Sequence, residues 1–317
     1  MSDEANSEDP RRARLWLLLA VLVLAWSLNY IFGKIAISAA GAVSPQPART
    51  VLIGRVAMAA ALFLLIYLWR RPARPARLNR RDWLRLAALG LTGITGNQLG
   101  FVIGLGHTSV AHASLFNALT PLIVLLIAVA IGQERMTAGK LAGMMICFAG
   151  TALLFWKATG GTATRAGDFI VLFGATSFAV YTVGSKAQVT RYGTLFFNCA
   201  VFWLGGIFLL PFCWRALRQT AWSRMPAVGW VGIAYMALIG SVVAYLIYYE
   251  AMRTITASQV AVLSYLQPIL ATLAGAWLLP NEGLTPQVGG VGALILIGVW
   301  LAERRPQRAA GKPAKAG

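Results

Sequence analysis

The sequence predicts an all-α membrane protein of ten transmembrane helices, arranged as two inverted five-helix repeats. Three observations lead there. Of 317 residues, 58% are hydrophobic and only 12% charged, with a mean hydropathy of +0.67; soluble domains carry about 25% charged residues. The apolar residues come in runs long enough to cross about 30 Å of hydrocarbon. The third observation is duplication. Gly93 to Pro121 and Gly240 to Pro268 span the same distance, and the segment holding each proline ends in an acid, Glu134 or Glu282. Upstream, Asn29 to Lys34 and Tyr181 to Lys186 are spaced alike.

The runs lie near 15–39, 48–70, 82–106, 109–131, 138–158, 167–188, 193–214, 226–251, 257–279 and 286–303. The first follows RRAR and precedes small residues, a pattern shared with signal peptides. Asn29 and Lys34 make a poor signal core, however, and the repeat needs the segment, so it reads as a span. The third run holds GLTGITGNQLG, whose glycines and threonines weaken a helix and let backbones approach closely. The fourth and ninth runs each contain an internal proline. Residues 1–14 read as a disordered tail that holds four of the ten acids, and 304–317 as a basic tail. Between them the repeats run over 16–156 and 167–302, joined by ATGGTATRAGD. Five is an odd number of crossings, so the second copy must sit upside down relative to the first.

A net charge of +18 raises the question of nucleic acid, and its placement answers it. If Arg11, Arg12 and Arg14 are cytoplasmic, the segments on that side hold twenty Lys and Arg and the outer segments six, with Lys34 and Arg55 inside spans. That is the positive-inside bias. It predicts a multi-pass protein of the cytoplasmic (inner) membrane with both termini cytoplasmic and the lipid bilayer, not nucleic acid, as its surroundings. Arg215, Arg218 and Arg224 run against the bias locally. Cys147, Cys199 and Cys213 fall in spans without metal-like spacing, and no cofactor or metal is expected.

Polar groups inside hydrocarbon cost free energy and need a reason to persist. Lys34 and Arg55 lie near the outer ends of the first two runs and could form an anion-binding pair or gate; snorkelling with capping of helix carbonyls is the plainer reading. Lys186 is the repeat counterpart of Lys34. Asn97 and Gln98 sit mid-span and would line a pocket or bond across a packing seam. Trp26, Asn29, Tyr181 and Tyr245 are deep enough to meet a substrate, aromatic rings stacking on its body while polar tips bond its end. Tyr249 is close enough to a helix end to be an interface anchor. His112, Asn117, Ser264, Tyr265 and Gln267 surround the two prolines, each of which frees the carbonyl four residues earlier, at Asn117 or Ser264. Glu250, within reach of Arg253, and His107 are candidate proton carriers. No acid occupies the centre of a span, so coupling to an ion through a buried carboxylate is not expected.

The stretch WSLNYIFGKIAI, followed by Pro45, Pro47 and Arg55, resembles the opening of EamA-type members of the drug/metabolite transporter superfamily. GHTSVAHASLFNALTPLIVLLIAVAIGQE resembles their fourth span, and SFAVYTVGSKAQV and YLQPILATLAGAWLLPNEGLTP the matching parts of the second half. The resemblance covers nearly all of 16–302; the chain departs from it at GLGHTS, which makes His107 particular to this sequence. It implies ten helices and a secondary transporter of small organic metabolites that works by alternating access, often exporting amino acids or related compounds. A drug, a nucleotide-sugar or a lipid precursor is the alternative cargo, and a non-transporting receptor or scaffold the other class. An enzyme is disfavoured by the residues themselves: no acidic pair and no HExxH spacing occurs, and Ser114, two residues after His112, does not share its helix face.

Overall fold

The computed structural model describes residues 10–70, 78–108, 110–155, 165–267, 269–270, 273–274 and 287–303, and all regular structure among them is helical. In chain order the helices are α1 Pro10–Ala40, α2 Pro47–Arg70, α3 Arg80–His107, α4 Val110–Asn117, α5 Thr120–Ala130, α6 Ala138–Phe155, α7 Arg165–Tyr192, α8 Thr194–Gln219, α9 Ala227–Met252, α10 Ala257–Val262 and α11 Gln287–Glu303. Six of them (α1, α2, α3, α7, α8 and α9) are long and apolar enough to cross a membrane, and Leu115–Ala130, Ala138–Leu153 and Gly290–Ala302 are shorter apolar helices. Pro268 and Glu282 lie outside the described residues, as does much of the expected ninth span. Outward faces are as greasy as inward ones: Leu17, Trp69 and Phe169 are all more than 60% exposed. Helices apolar all round belong in lipid rather than water.

Two local departures from regular α-helix have causes in the sequence. The expected fourth span is not one kinked helix but two, α4 and α5, parted by a turn at Ala118 and Leu119. Pro121 offers no N–H to the Asn117 carbonyl and its ring crowds that carbonyl, so the helix stops and restarts with proline in its first turn. The second departure is a π-helical segment at Gly90–Gly96 in α3 and another at Leu238–Val243 in α9. Gly93 and Gly240 sit within them, so the duplicated sequence carries the same backbone irregularity at the same place in each half.

Contacts between helix ends fix the direction of each half. Lys34 Nζ, late in α1, donates to the Thr108 carbonyl just after α3 (2.9 Å), and Thr108 Oγ1 donates to Asp168 in the first turn of α7 (2.8 Å). At the opposite end, Arg191 of α7 pairs with Asp82 of α3 (3.1 Å), and Lys186 Nζ donates to the Ile255 carbonyl (3.2 Å). So α1 and α7, counterparts in sequence, run in opposite directions. The two lysines make the same bond in their own halves, one at each end of the molecule.

Without a hydrophobic force between helices in lipid, close packing must hold them. A methyl added at Gly100 would lie 2.3 Å from the Gly174 Cα, so the backbones of α3 and α7 touch there. Besides the Arg191–Asp82 pair, the Glu134 carboxylate ties the halves at the Lys186 end. Glu134, on the turn after α5, accepts from Lys140 Nζ (2.7 Å), from the Ser258 backbone N–H (3.0 Å) and from the Ser258 hydroxyl in the first turn of α10. Burial pushes the Glu134 carboxyl up, but those hydrogen bonds outweigh it and hold the carboxyl below its ordinary value of 4.5.

Two stability outcomes follow. Gly100→Val forces α3 and α7 apart and costs roughly 1–3 kcal/mol, read as a lower melting temperature of the protein in detergent. For Glu134 the native value is the depressed one, so its contribution is complete above about pH 4.5 and disappears as the pH falls through the lower, folded value. Glu134→Gln should lower the melting temperature at neutral pH and narrow its gap from the parent protein in acid.

Candidate functional site

A cavity of about 70 Å³ lies between the halves. The first half contributes Trp26, Asn29 and Tyr30 from α1, Arg55 from α2, Asn97, Gln98 and Phe101 from α3, and Asn117, Ala118 and Thr120 from the break between α4 and α5. The second contributes Phe178 from α7, Tyr245 and Tyr248 from α9, and Ala261, Ser264 and Gln267 around the end of α10. The backbone breaks explain the choice of depth. Both the α4–α5 turn and the 3₁₀ turn Leu263–Tyr265 after α10 sit at the cavity, where irregular backbone in a membrane is tolerated.

Much of the lining comes in counterpart pairs. Trp26 and Phe178 hold matching positions, and their rings meet edge to face at 5.9 Å. Gln98 and Tyr245 also match, and Gln98 Nε2 donates to the Tyr245 hydroxyl (3.2 Å). Phe101 matches Tyr248, Asn117 matches Ser264, and Thr120 matches Gln267. The same two-fold logic governs their neighbours: Tyr30 meets Phe101 edge to face (5.2 Å), while its counterpart Thr182 bonds Tyr248 (3.1 Å).

Chemically the two walls differ. The first half supplies a cation, four amides and three aromatic rings, the second three rings, a hydroxyl and a single amide, Gln267. Several of these polar groups are already occupied: Asn97 Nδ2 donates to the Gly174 carbonyl (3.2 Å), Asn117 Nδ2 to the Tyr30 hydroxyl (2.9 Å), Trp26 Nε1 to the Gly240 carbonyl (3.2 Å) and Ser264 Oγ to the Ala261 carbonyl (2.7 Å). Arg55 is 2% exposed. Its Nε donates to Ser241 Oγ (3.1 Å) and Nη2 to the Gly240 carbonyl (3.4 Å), while Nη1 has no partner. Asn29 Oδ1 and Gln98 Oε1 are likewise buried without a partner. Among the described residues, Arg55 is the one cation on the lining, and no carboxylate shares it. Buried polar atoms in folded proteins are nearly always bonded, and Arg55, Asn29 and Gln98, each with one such atom unpartnered, all belong to the cavity lining, which makes the cavity the place for a polar ligand.

Trp26, Asn29, Asn97, Gln98, Asn117, Tyr245, Ser264 and Gln267 therefore come together around the cavity, and Arg55 joins them. Other candidates are placed elsewhere. Tyr181 and Tyr265 are fully buried but off the lining; Tyr181 packs behind Phe178, against Phe197 and Tyr249. Tyr249 is no interface anchor, since it is wholly buried in that aromatic cluster. Lys34 does not pair with Arg55, because its ammonium is spent on the Thr108 carbonyl, and Lys186 is spent on Ile255. Glu250 is 56% exposed at the end of α9, paired with Arg253 (3.3 Å), which takes it out of the bundle interior. His107 is exposed at the Lys34 end, its Nδ1 2.8 Å from the Ile103 carbonyl. The side chain of His112 lies outside the described residues. Sequence reasoning missed Phe101, Ala118, Thr120, Phe178 and Ala261. Phe101 was within reach, one turn from Gln98 on the same face, and so was Phe178, the counterpart of Trp26.

Comparison with known proteins gives a consistent result. A model of the EamA-like transporter family matches residues 14–156 and again 165–303. An uncharacterized transporter of Archaeoglobus fulgidus is 27% identical over 90% of this chain and 96% of its own length. A probable terminal-alkyne amino-acid exporter of Streptantibioticus cattleyicolor is 29% identical over 74% of this chain and 77% of its own. A crystal structure 22% identical in sequence superposes with a TM-score of 0.72, covering 92% of this chain and 96% of that one, which supports the fold.

The geometry separates the two first-half cations experimentally. Lys34→Met removes a charged hydrogen bond to a carbonyl and should cost about 1.5–3 kcal/mol of stability, with the KM for cargo unchanged. Arg55→Gln should instead raise KM. Thermal melting and initial-rate flux, measured on both variants, distinguish the roles.

Proposed function

The chain belongs to the EamA-like transporter family and is a membrane transporter rather than an enzyme, and from that premise we propose that it carries a small amino-acid-like solute by alternating access. The observation behind this reading is the set of three unpartnered atoms, Arg55 Nη1, Asn29 Oδ1 and Gln98 Oε1. A carboxylate satisfies the guanidinium through a charge-assisted bond. An ammonium one carbon away can donate to the two amide oxygens, with the faces of Trp26 and Tyr248 to receive its charge. The apolar part of the solute then lies against the aromatic rings that both halves bring to the cavity. Arg55, Asn29 and Gln98 hold the polar end, while Tyr245 fixes the Gln98 amide.

In this reading the chain forms ten membrane helices as two inverted five-helix halves, 16–156 and 167–302, with both termini in the cytoplasm of a cell whose inner membrane it spans. The halves rock about the shared cavity, exposing it at the Lys34 end and then at the Lys186 end. Export is the favoured direction, supported by the amino-acid exporter among the relatives. A cationic drug suits the lining less well, since no acid there would offset Arg55. A nucleotide-sugar would set several phosphate charges against one guanidinium.

The purified protein in liposomes, assayed with labelled glycine, leucine, phenylalanine, a sugar, a nucleotide-sugar and a cationic dye, should move at least one amino acid faster than protein-free vesicles. Arg55→Gln should raise the KM for that amino acid roughly ten-fold or more, the loss of one charge-assisted hydrogen bond. Dye flux without amino-acid flux would overturn the assignment.

A further inference from the structure

Arg55 poses a problem when the cavity is empty. Water can solvate the guanidinium while the cavity is open at one end of the protein. Passage from one open form to the other closes both ends and removes most of that water. Arg55 is already 2% exposed and one of its nitrogens has no protein partner. Acids at the helix ends are engaged elsewhere: Asp82 with Arg191, Glu134 with Lys140 and Ser258, Asp168 with Thr108, and Glu250 with Arg253. Neither Tyr245 nor any other lining group among the described residues supplies a negative charge. A buried charge stripped of its partner destabilises a protein far more than a paired one. The empty closed form is thus penalised, and the loaded closed form, with a carboxylate on Arg55, is not.

We infer that this protein is an exchanger: it crosses between its two open forms readily with a carboxylate bound and slowly without one, so that it swaps one carboxylate-bearing solute for another instead of returning empty. Arg55 sets this by coupling occupancy to closure. The bonds from Nε and Nη2 to Ser241 and to the Gly240 carbonyl, both in the π segment of α9, span the two halves. The charge therefore sits at the joint that must move, and it cannot be left behind in either half. Net efflux requires one empty crossing per cycle, whereas exchange requires none.

This rests on the carboxylate reading above, and the test separates the two. Liposomes holding the purified protein are loaded with labelled glycine, leucine or phenylalanine, whichever flows fastest, and diluted into buffer with or without the same unlabelled amino acid. Exchange should outpace net efflux by roughly ten-fold or more, as an unpaired buried charge in the empty closed form requires. Equal rates with and without external amino acid would overturn the inference while leaving the carboxylate reading intact. Failure of glycine, leucine and phenylalanine alike to exceed protein-free vesicles would remove the carboxylate reading, and this inference with it. Arg55→Leu, compared at saturating internal amino acid, should bring the ratio of exchange to net efflux close to one; a ratio that stays high in a variant of unchanged melting temperature would also overturn it. Should that variant fail to fold, the ratio in the parent protein decides alone.

Discussion

The cavity exists because the first helix of each half inserts a side chain against a glycine in the third helix of the other. Asn29 of α1 occupies the space a methyl would take at Gly240, and Tyr181 of α7 does the same at Gly93, at separations of 2.4 and 2.1 Å from the added carbon. Positions 29 and 181 are counterparts, as are 93 and 240, so one contact has been built twice. Any larger residue at either glycine would push α1 off α9 or α7 off α3. The π segments at those glycines widen the helix and expose backbone there. The Gly240 carbonyl is consequently free to accept from both Trp26 and Arg55, and the glycine that permits close packing also seats the site's charge.

The cations divide by position along the membrane normal. Near the ends of the bundle, lysines and arginines meet carbonyls or acids: Lys34 with Thr108, Lys186 with Ile255, Arg191 with Asp82, Lys140 with Glu134. Long side chains can reach those partners cheaply because water is nearby. Arg55 is different in kind. It is fixed by two hydrogen bonds to the opposite half and left with one open donor facing a cavity, an arrangement that stabilises nothing by itself and gains its meaning only when an acceptor arrives.

Much of this was legible from residue order alone. Long apolar runs, the repeated glycine-to-proline interval and the matched Asn29–Lys34 and Tyr181–Lys186 spacings placed the helices and paired the halves. Mid-span amides and rings pointed to the lining, since such groups are too costly in lipid to face it. What the sequence did not carry was rotation and reach. Tyr181 and Tyr245 look equally deep, yet one faces the cavity and the other backs the wall, a difference set by tertiary packing around Phe178. Arg55 read as an outer-end residue because run boundaries locate depth only to within a turn or so. The broken α4–α5 segment was signalled by Pro121, but whether a proline kinks or severs a helix depends on what its neighbours can satisfy.

The duplication also explains why there is one arginine and not two. The stretch FLLIYLWR of α2 matches FLLPFCWR of α8, which aligns Arg55 with Ala200. A strictly symmetric protein would carry a guanidinium on both walls. Two such buried charges would repel each other. With alanine at 200, Arg55 is the one cation on the lining among the described residues, and a solute with one carboxylate has one place to seat it. The halves keep their shared backbone, π segments and end caps, which is what rocking about a common cavity requires. They differ along the cavity at 29, 30, 55, 97, 98, 117 and 120, where Tyr181, Thr182, Ala200, Ala244, Tyr245, Ser264 and Gln267 stand in the second half. Symmetry thus serves the motion, and its loss at those positions serves recognition.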